Sequence, residues 1–311
     1  MSIQPGTISA PASRPLLGAI RAVTYSVPDL DAIERAYRNR LGYLVLGRRR
    51  VSDAEARSWT APAAAGRPML TLAPASGELV FLRFIEDADA GGWTALTTFG
   101  WNATEFVVQD VEALAARLDH SEFRIIGPPK PLTRFPMIRA MQALGPAGEC
   151  CYFTQIGPGS GLDLPSARSF VGRVFIAVVA GPDADALYAP YALFGNRTDP
   201  PVATPIGIIS RAHSLPEDTP HRHGLVRLSG GTLIELDQYP ASARRRDSSA
   251  DGVPPGMAIV TFDADSLEAL PRIGAASECL LPGLRGSCAC LRGAAGELIE
   301  IFAGTPSTPI D

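Results

Sequence analysis

Four stretches of this chain open in the same way. "IRAVTYSVPDLDAIERAYRNRLGY" begins at Ile20, "WNATEFVVQDVEALAARL" at Trp101, "VGRVFIAVVAGPDADALYAPYALFG" at Val171 and "GMAIVTFDADSLEALPRIG" at Gly256. In each, a short β-rich run leads into an Asp-bearing turn and then into an amphipathic helical pattern. Asp29, Asp110, Asp183 and Asp265 stand where a side-chain oxygen can cap the first helical turn. Further strand-like runs follow, and each stretch ends on a hairpin-like strand: "GELVFLRFIE", "GECCYFTQIG", "GTLIELDQYP" and "GELIEIFAG". The repeating unit is therefore βαβββ, present four times.

One such unit has a single helix to cover one face of its sheet, so the other face stays bare until a second unit joins it. The expected fold class is α+β: four βαβββ modules paired into two curved eight-stranded half-barrel domains, helices outside and a concave cleft inside. The Gly/Pro/Ser-rich "GPGSGLDLPSA" at 157–167 reads as a linker. It places one domain at 16–156 and the other at 169–304, with a flexible leader over 1–15, a linker over 157–168 and a tail over 305–311.

Alternate residues of a strand face opposite sides. "RAVTYSV" then sends Val23, Tyr25 and Val27 to the helix side and Ala22, Thr24 and Ser26 to the cleft. In the third unit Val174, Ile176 and Val178 go to the helix, and Arg173, Phe175 and Ala177 to the cleft. In the closing strands Ile234, Leu236, Ile299 and Ile301 pack on the helices, so Glu235 and Glu300 point into a cleft. The same parity turns Arg83, Glu105 and Tyr152 inward. Buried carboxylates are rarely left unpartnered, so a metal, a cation or a ligand is expected beside Glu235 and Glu300. Arg83 and Glu105 read either as a buried ion pair joining two units or as ligand contacts.

Composition narrows the function. A net charge of -4 gives no basic footprint for nucleic acid, and no apolar run approaches the roughly 18 residues of a membrane span. Five cysteines without zinc-type spacing suggest reduced thiols in a cytoplasm. "CC" at 150–151 points to opposite faces of a strand, whereas "CAC" at 288–290 puts two thiols on one face, where packing is the simpler reading. There is no G-x-S-x-G elbow, Walker A loop or G-x-G-x-x-G after a strand.

The strand–turn–helix openings and the "G-E/T-L-I-E-I/L" closings, running from about Ala19 to Phe302, resemble the vicinal oxygen chelate superfamily. That superfamily includes glyoxalases, extradiol ring-cleaving dioxygenases, epimerases and bleomycin-resistance proteins. The resemblance implies paired βαβββ units and, in many members, a divalent metal. Its ligands come from the first strand of each unit, usually His, and the closing strand, usually Glu. Carried over to this chain, those positions fall on Ala22, Phe81, Ala103 and Tyr152 in the first domain, a set that implies no metal there and leaves Tyr152 to hydrogen-bond a ligand. In the second domain they fall on Arg173, Ala258, Glu235 and Glu300.

The chain has only four histidines. His120 ends a helical pattern and reads as a surface residue, and His213 sits in the loop-like "RAHSLPEDTPH". His221 and His223, in "HRHG", alternate just before the Glu235 strand. One reading is a metal set of His221, His223, Glu235 and Glu300 holding Fe, Mn, Zn or Ni; the other is an exposed loop-to-strand junction. Arg173 either divides the pKa values of the two acids, as a proton-transfer site requires, or forms a salt bridge that closes the cleft. The long segments 197–222 and 239–256 have the length of lids and favour the second domain as the working one.

Two functions follow. The first is a glyoxalase- or dioxygenase-like enzyme, a lyase or isomerase acting on a small oxygenated or aromatic metabolite by acid–base or metal-assisted chemistry. Glu235, Glu300 and Arg173 would be catalytic, and Phe175, His223, Tyr152, Arg83 and Glu105 would contact substrate. The second is a non-catalytic protein that sequesters a small molecule. Either way the expected partner is a small molecule rather than nucleic acid or membrane, and the expected state is a monomer or homodimer.

Overall fold

The structure, a computed structural model, describes residues 16–160, 162–195, 197–246, 251–268 and 274–307. The leader over 1–15 lies outside these described residues. Module 1 comprises β1 (Ile20–Val27), α1 (Leu30–Ala36), β2 (Leu44–Arg50), a short inserted helix α2 (Asp53–Ser58), β3 (Pro68–Ala73) and β4 (Phe81–Glu86). Module 2 comprises β5 (Gly100–Val108), α3 (Val111–Leu118), β6 (Arg124–Pro131), β7 (Ile138–Leu144) and β8 (Cys150–Ile156). Module 3 comprises β9 (Val171–Gly181), α4 (Ala184–Ala192), β10 (Arg197–Pro205), α5 (Gly207–Ala212), β11 (Pro220–Arg227) and β12 (Leu233–Gln238). Module 4 comprises β13 (Gly256–Ala264), β14 (Ser277–Glu278), β15 (Leu284–Arg292) and β16 (Leu298–Pro306). The helix expected after Asp265 falls largely on 269–273, outside the described residues.

The caps form as the sequence implies. Asp29 accepts from the amides of Asp31 and Ala32, Asp110 from those of Glu112 and Ala113, and Asp183 from that of Ala186. Each removes part of the desolvation cost of a helix N-terminus, worth about 1 kcal/mol per cap.

The strands form two eight-stranded sheets, in the orders β14-β15-β16-β13-β1-β4-β3-β2 and β10-β11-β12-β9-β5-β8-β7-β6. The pairing of modules differs from the expected one. Module 1 joins module 4 through antiparallel β1 and β13, with Ala22 opposite Thr261. Module 2 joins module 3 through antiparallel β5 and β9, with Ala103 opposite Val178. Each sheet therefore takes one module from either side of the 157–168 segment. Gly, Pro and Ser mark that segment as a loop, but loop chemistry carries no information about which edge strands meet. We call the two assemblies the outer-module sheet (modules 1 and 4) and the inner-module sheet (modules 2 and 3).

The convex faces of both sheets, with α1, α3 and α4, share one apolar core. Aromatic rings cross it from sheet to sheet: Tyr43 meets Phe106 at 6.0 Å between centroids, and Trp101 meets Phe262 at 6.1 Å. Trp101 Nε1 donates to the Leu298 carbonyl at 2.8 Å, and the Tyr25 and Thr104 hydroxyls are bonded in the same layer. The two clefts thus lie on the faces turned away from this core. Parity assigns Val23, Tyr25, Val27, Ile234, Leu236, Ile299 and Ile301 to the core, as found. It fails in β9. The register of β5 against β9 slips between Glu105 and Phe106, so Phe175 is an extra residue in the ladder. Val174 and Phe175 lie as alternation assigns them, in the core and at the cleft, but beyond the bulge Ile176 and Val178 reach the cleft side while Ala177 turns to the core.

Two matched contacts tie the sheets. Tyr37, in the turn of π-helix that continues α1, donates to Glu149 Oε1 at 3.0 Å, and Tyr191 in α4 donates to Glu297 Oε1 at 2.6 Å. The other oxygen of each acid accepts a backbone N–H, from Ala147 or Ala295, both at 2.9 Å. One contact runs from module 1 to module 2 and the other from module 3 to module 4, so each spans the two sheets. Burial raises the Glu149 pKa to about 7, against the opposing effect of these hydrogen bonds. Because the folded value exceeds the unfolded one, Glu149 lends stability fully present below about pH 4.5 and lost as pH rises through about 7. Denaturant unfolding of the native protein should therefore show stability falling between about pH 5 and about pH 8, and Glu149→Gln should flatten that fall by up to about 3 kcal/mol. An unchanged slope in the variant would refute the assignment.

Candidate functional site

The two carboxylates singled out by the sequence do not share a cleft. Glu300 belongs to the outer-module sheet and Glu235 to the inner-module sheet. In the first, Glu300 on β16 stands beside Thr261, then Ala22, then Phe81. Thr261, not Ala258, is the residue of β13 that reaches it.

Glu300 is 2% exposed and fully engaged. Its Oε2 accepts from Arg83 Nη2 at 2.6 Å and from Thr261 Oγ1 at 2.5 Å, and its Oε1 accepts from Trp59 Nε1 at 2.6 Å. Arg83 donates further to Thr24 Oγ1 at 2.7 Å and lies 5.4 Å from the Trp59 ring. A buried Arg–Glu pair does exist, as the sequence allowed, but the partner of Arg83 is Glu300; Glu105 lies in the other sheet. Trp59 arrives on the segment following α2, whose first turn is fixed by a Ser52–Glu55 capping box and by Arg49 on Glu55 at 2.5 Å. Trp59, Ala56, Met69 and Ile85 then pack into the cleft with Val253 and Leu298. The outer cleft is filled by the chain's own side chains. Glu300→Gln should leave Arg83 buried without its counter-charge and lower unfolding stability by about 3–5 kcal/mol, measured by chemical denaturation. A change below about 1 kcal/mol would remove Glu300 from the structural core of that sheet.

The inner cleft is built differently. His223 on β11 stands opposite Asp237 on β12, and Leu225 stands opposite Glu235. One ligand atom from each of His223, Glu235 and Asp237 falls within 4.8 Å of the others. Glu105 on β5, 9% exposed, faces the same space and accepts from Thr154 Oγ1. Among the described residues no Arg or Lys bonds any of the three acids. Burial raises Glu105 to about 8, with the charge of Glu235 adding to the rise. Burial also raises Glu235 and Asp237, which sit close enough to share a proton, Asp237 lying well above the usual carboxylate range.

Two buried atoms here have no hydrogen-bond partner among the described residues, His223 Nδ1 and Asp237 Oδ1. His223 Nε2 lies 2.9 Å from Thr204 Oγ1. Donation from that nitrogen leaves Nδ1 with a free lone pair, the arrangement a metal-binding imidazole needs. A divalent ion implied by the family resemblance therefore fits His223, Glu235 and Asp237, which supply one nitrogen and two carboxylates.

Around the three donors, Phe175, Ile208, Ile209 and Leu233 form apolar walls, with Tyr152 partly buried against them. Tyr239 is buried with its hydroxyl unpartnered among the described residues. His221 is 5% exposed and its Nε2 is 2.8 Å from Ser210 Oγ on α5; burial and the nearby His213 hold its pKa down. His213 Nε2 donates to the Leu96 carbonyl at 2.9 Å, and its Nδ1 accepts from Ser242 Oγ at 2.8 Å. Three of the four histidines thus gather at this cleft, while the side chain of His120 is 94% exposed.

The sequence-derived metal set is split by the fold. His223 and Glu235 meet, Glu300 is in the other sheet, and His221 bonds α5 instead. Arg173 does not lie between acids either. It sits at the start of β9, its Nε 3.2 Å from Glu78 Oε1 and its Nη2 donating to the Gly230 carbonyl at 2.5 Å. That contact joins modules 1 and 3. Asp237 was overlooked, although it follows Glu235 by two positions and so shares its face; "H-R-H" beside "E-L-D" is the pattern that carries the cluster.

No protein-family model matches the chain, and no curated protein is similar to it in sequence. Solved structures are similar in fold. Glyoxalase I from Zea mays matches with a TM-score of 0.59 at 16% identity, over 92% of this chain and 92% of that one. A candidate dioxygenase from Bacillus subtilis matches with a TM-score of 0.62 at 14% identity, over 95% of this chain and 87% of the other. Among the described residues, no helix is long and apolar enough to cross a membrane. With its four modules closed into two eight-stranded half-barrels, this chain shares the fold of these two solved structures.

Proposed function

We propose that the protein is a metal-dependent enzyme, a lyase, isomerase or dioxygenase, whose working cleft is that of the inner-module sheet. The observation that carries this reading is the cluster of three acids and a histidine with no cationic side chain bonded to them, two of its buried polar atoms lacking partners among the described residues. Burying such a set uncompensated is expensive. A divalent cation held by His223, Glu235 and Asp237 relieves that cost, and when bound it supplies Lewis-acid activation of a substrate oxygen.

The chain's own residues do the rest. Glu105, oriented by Thr154 and raised to about 8 by burial, is the acid poised to take up or give a proton near neutral pH. Phe175, Ile208, Ile209 and Leu233 exclude water and favour an apolar or aromatic body on the substrate. Tyr152 and Tyr239 offer hydroxyls to a carbonyl or phenolic oxygen. The substrate that suits this lining is a small oxygenated, aromatic or carbonyl compound.

Metal analysis of the purified protein, after equilibration with Fe(II), Mn(II), Zn(II) and Ni(II) in turn, should find about one ion per chain for at least one of them. His223→Ala and Asp237→Asn should each reduce that content to below about a tenth, while Glu300→Gln, in the other cleft, should retain it. Failure of every ion to bind, or equal binding by the His223 and Asp237 variants, would end the proposal.

A further inference from the structure

The segment between β12 and β13 runs from one cleft to the other, with Tyr239 and Ala243 buried at the inner cleft and Val253 at the outer. Arg246 lies midway. Its Nε donates to Thr98 Oγ1 at 3.2 Å, its Nη1 to the carbonyls of Met257 at 2.5 Å and Pro255 at 3.3 Å, and its Nη2 to the carbonyl of Trp101. The guanidinium also lies 5.1 Å from the Trp93 ring. Trp93 is fixed in turn by Gly256, at φ 72°, where a Cβ would come within 2.3 Å of the indole. All of these acceptors are neutral, and among the described residues no carboxylate bonds Arg246. Burial lowers its pKa only to about 10, so the charge persists at neutral pH.

Beside this charge a pocket of about 190 Å³ opens between the two sheets. Phe99, Trp101, Arg245, Arg292 and Glu297 line it with Arg246. None of the cleft donors His223, Glu235 and Asp237 does. Arg245 and Arg292 are exposed, and among the described residues neither has an ion-pair partner. Glu297 is the one acid of the lining, and its oxygens are already taken by Tyr191 and the Ala295 amide. Three guanidinium groups therefore face one engaged carboxyl, in a space sized for a compact ligand.

We propose that this pocket is a binding site for a small oxyanion-bearing metabolite, a phosphate or a carboxylate, clasped by Arg245 and Arg292 over the fixed charge of Arg246. The site is separate from the metal cleft and does not depend on the reading given for it.

The test is isothermal titration of the full chain with inorganic phosphate, with acetate, and with sodium chloride at matched ionic strength. Phosphate or acetate should bind saturably at one site per chain, and whichever binds identifies the oxyanion class. The double variant Arg245→Ala/Arg292→Ala, at two exposed positions chosen because Arg246 itself is built into the fold, should bind at least about tenfold more weakly. His223→Ala should bind the anion as the native protein does, which separates this site from the metal cleft. Absence of binding by both anions, an equal response to chloride, or undiminished binding by the double variant would overturn the proposal.

Discussion

The constraint on which this structure depends is the shared face between its two sheets. A βαβββ module carries one helix, too little to cover the convex side of an eight-stranded sheet made from two modules. Here the remainder is covered by the other sheet, and the large aromatics Tyr25, Tyr37, Tyr43, Phe84, Trp101, Phe106, Phe153 and Phe262 fill the layer between them. Burial of this scale, at about 25 cal/mol per Å² of apolar surface, dominates the favourable side of folding. The Tyr–Glu contacts within the layer fix its register at the expense of two raised carboxyl pKa values.

With that layer in place, both concave faces are left to be filled or used, and the two sheets resolve the same repeat position in opposite ways. Each has a glutamate in the equivalent closing strand. Around Glu300 the chain supplies a guanidinium, an indole and a hydroxyl, so the charge and both oxygens are matched from within. Around Glu235 it supplies two more carboxyls and an imidazole, and the electrostatic mismatch is left open. The difference between a matched cleft and an unmatched one is thus a difference in the sign of the neighbours rather than in the fold.

Much of this was legible in the sequence. Asp29, Asp110 and Asp183 announced their helices, since a cap is a local interaction between residues two or three apart. Strand alternation correctly aimed Glu235, Glu300, Arg83 and Glu105 away from the helices. Which residues meet across the sheet was not legible, because strand pairing is decided by long-range packing and the repeats are alike enough to pair in several ways. That is why alternation places both Glu105 and Glu300 on cleft faces without showing that Arg83 pairs with Glu300. The Phe175 bulge is a second kind of miss: one extra residue reverses the parity of all that follows, and "RVFIAVV" carries no glycine or proline to signal it. Trp59 was missed for a third reason, since it reaches the outer cleft from an insertion outside the repeat.

The nested pairing of modules also has a temporal meaning. Modules 2 and 3 are adjacent in the chain, so their sheet can close as soon as β12 has left the ribosome. The outer-module sheet must wait until module 4 has been made: Arg21 and Asp263, which form one of its ion pairs, are 242 positions apart. Until β13 arrives, β1 presents an unpaired edge, and long-range strand pairing of this kind is slow and exposed to mispairing. The half of the molecule holding the unmatched acids is therefore the first able to assemble, and the half with the fully matched salt bridge closes last around it.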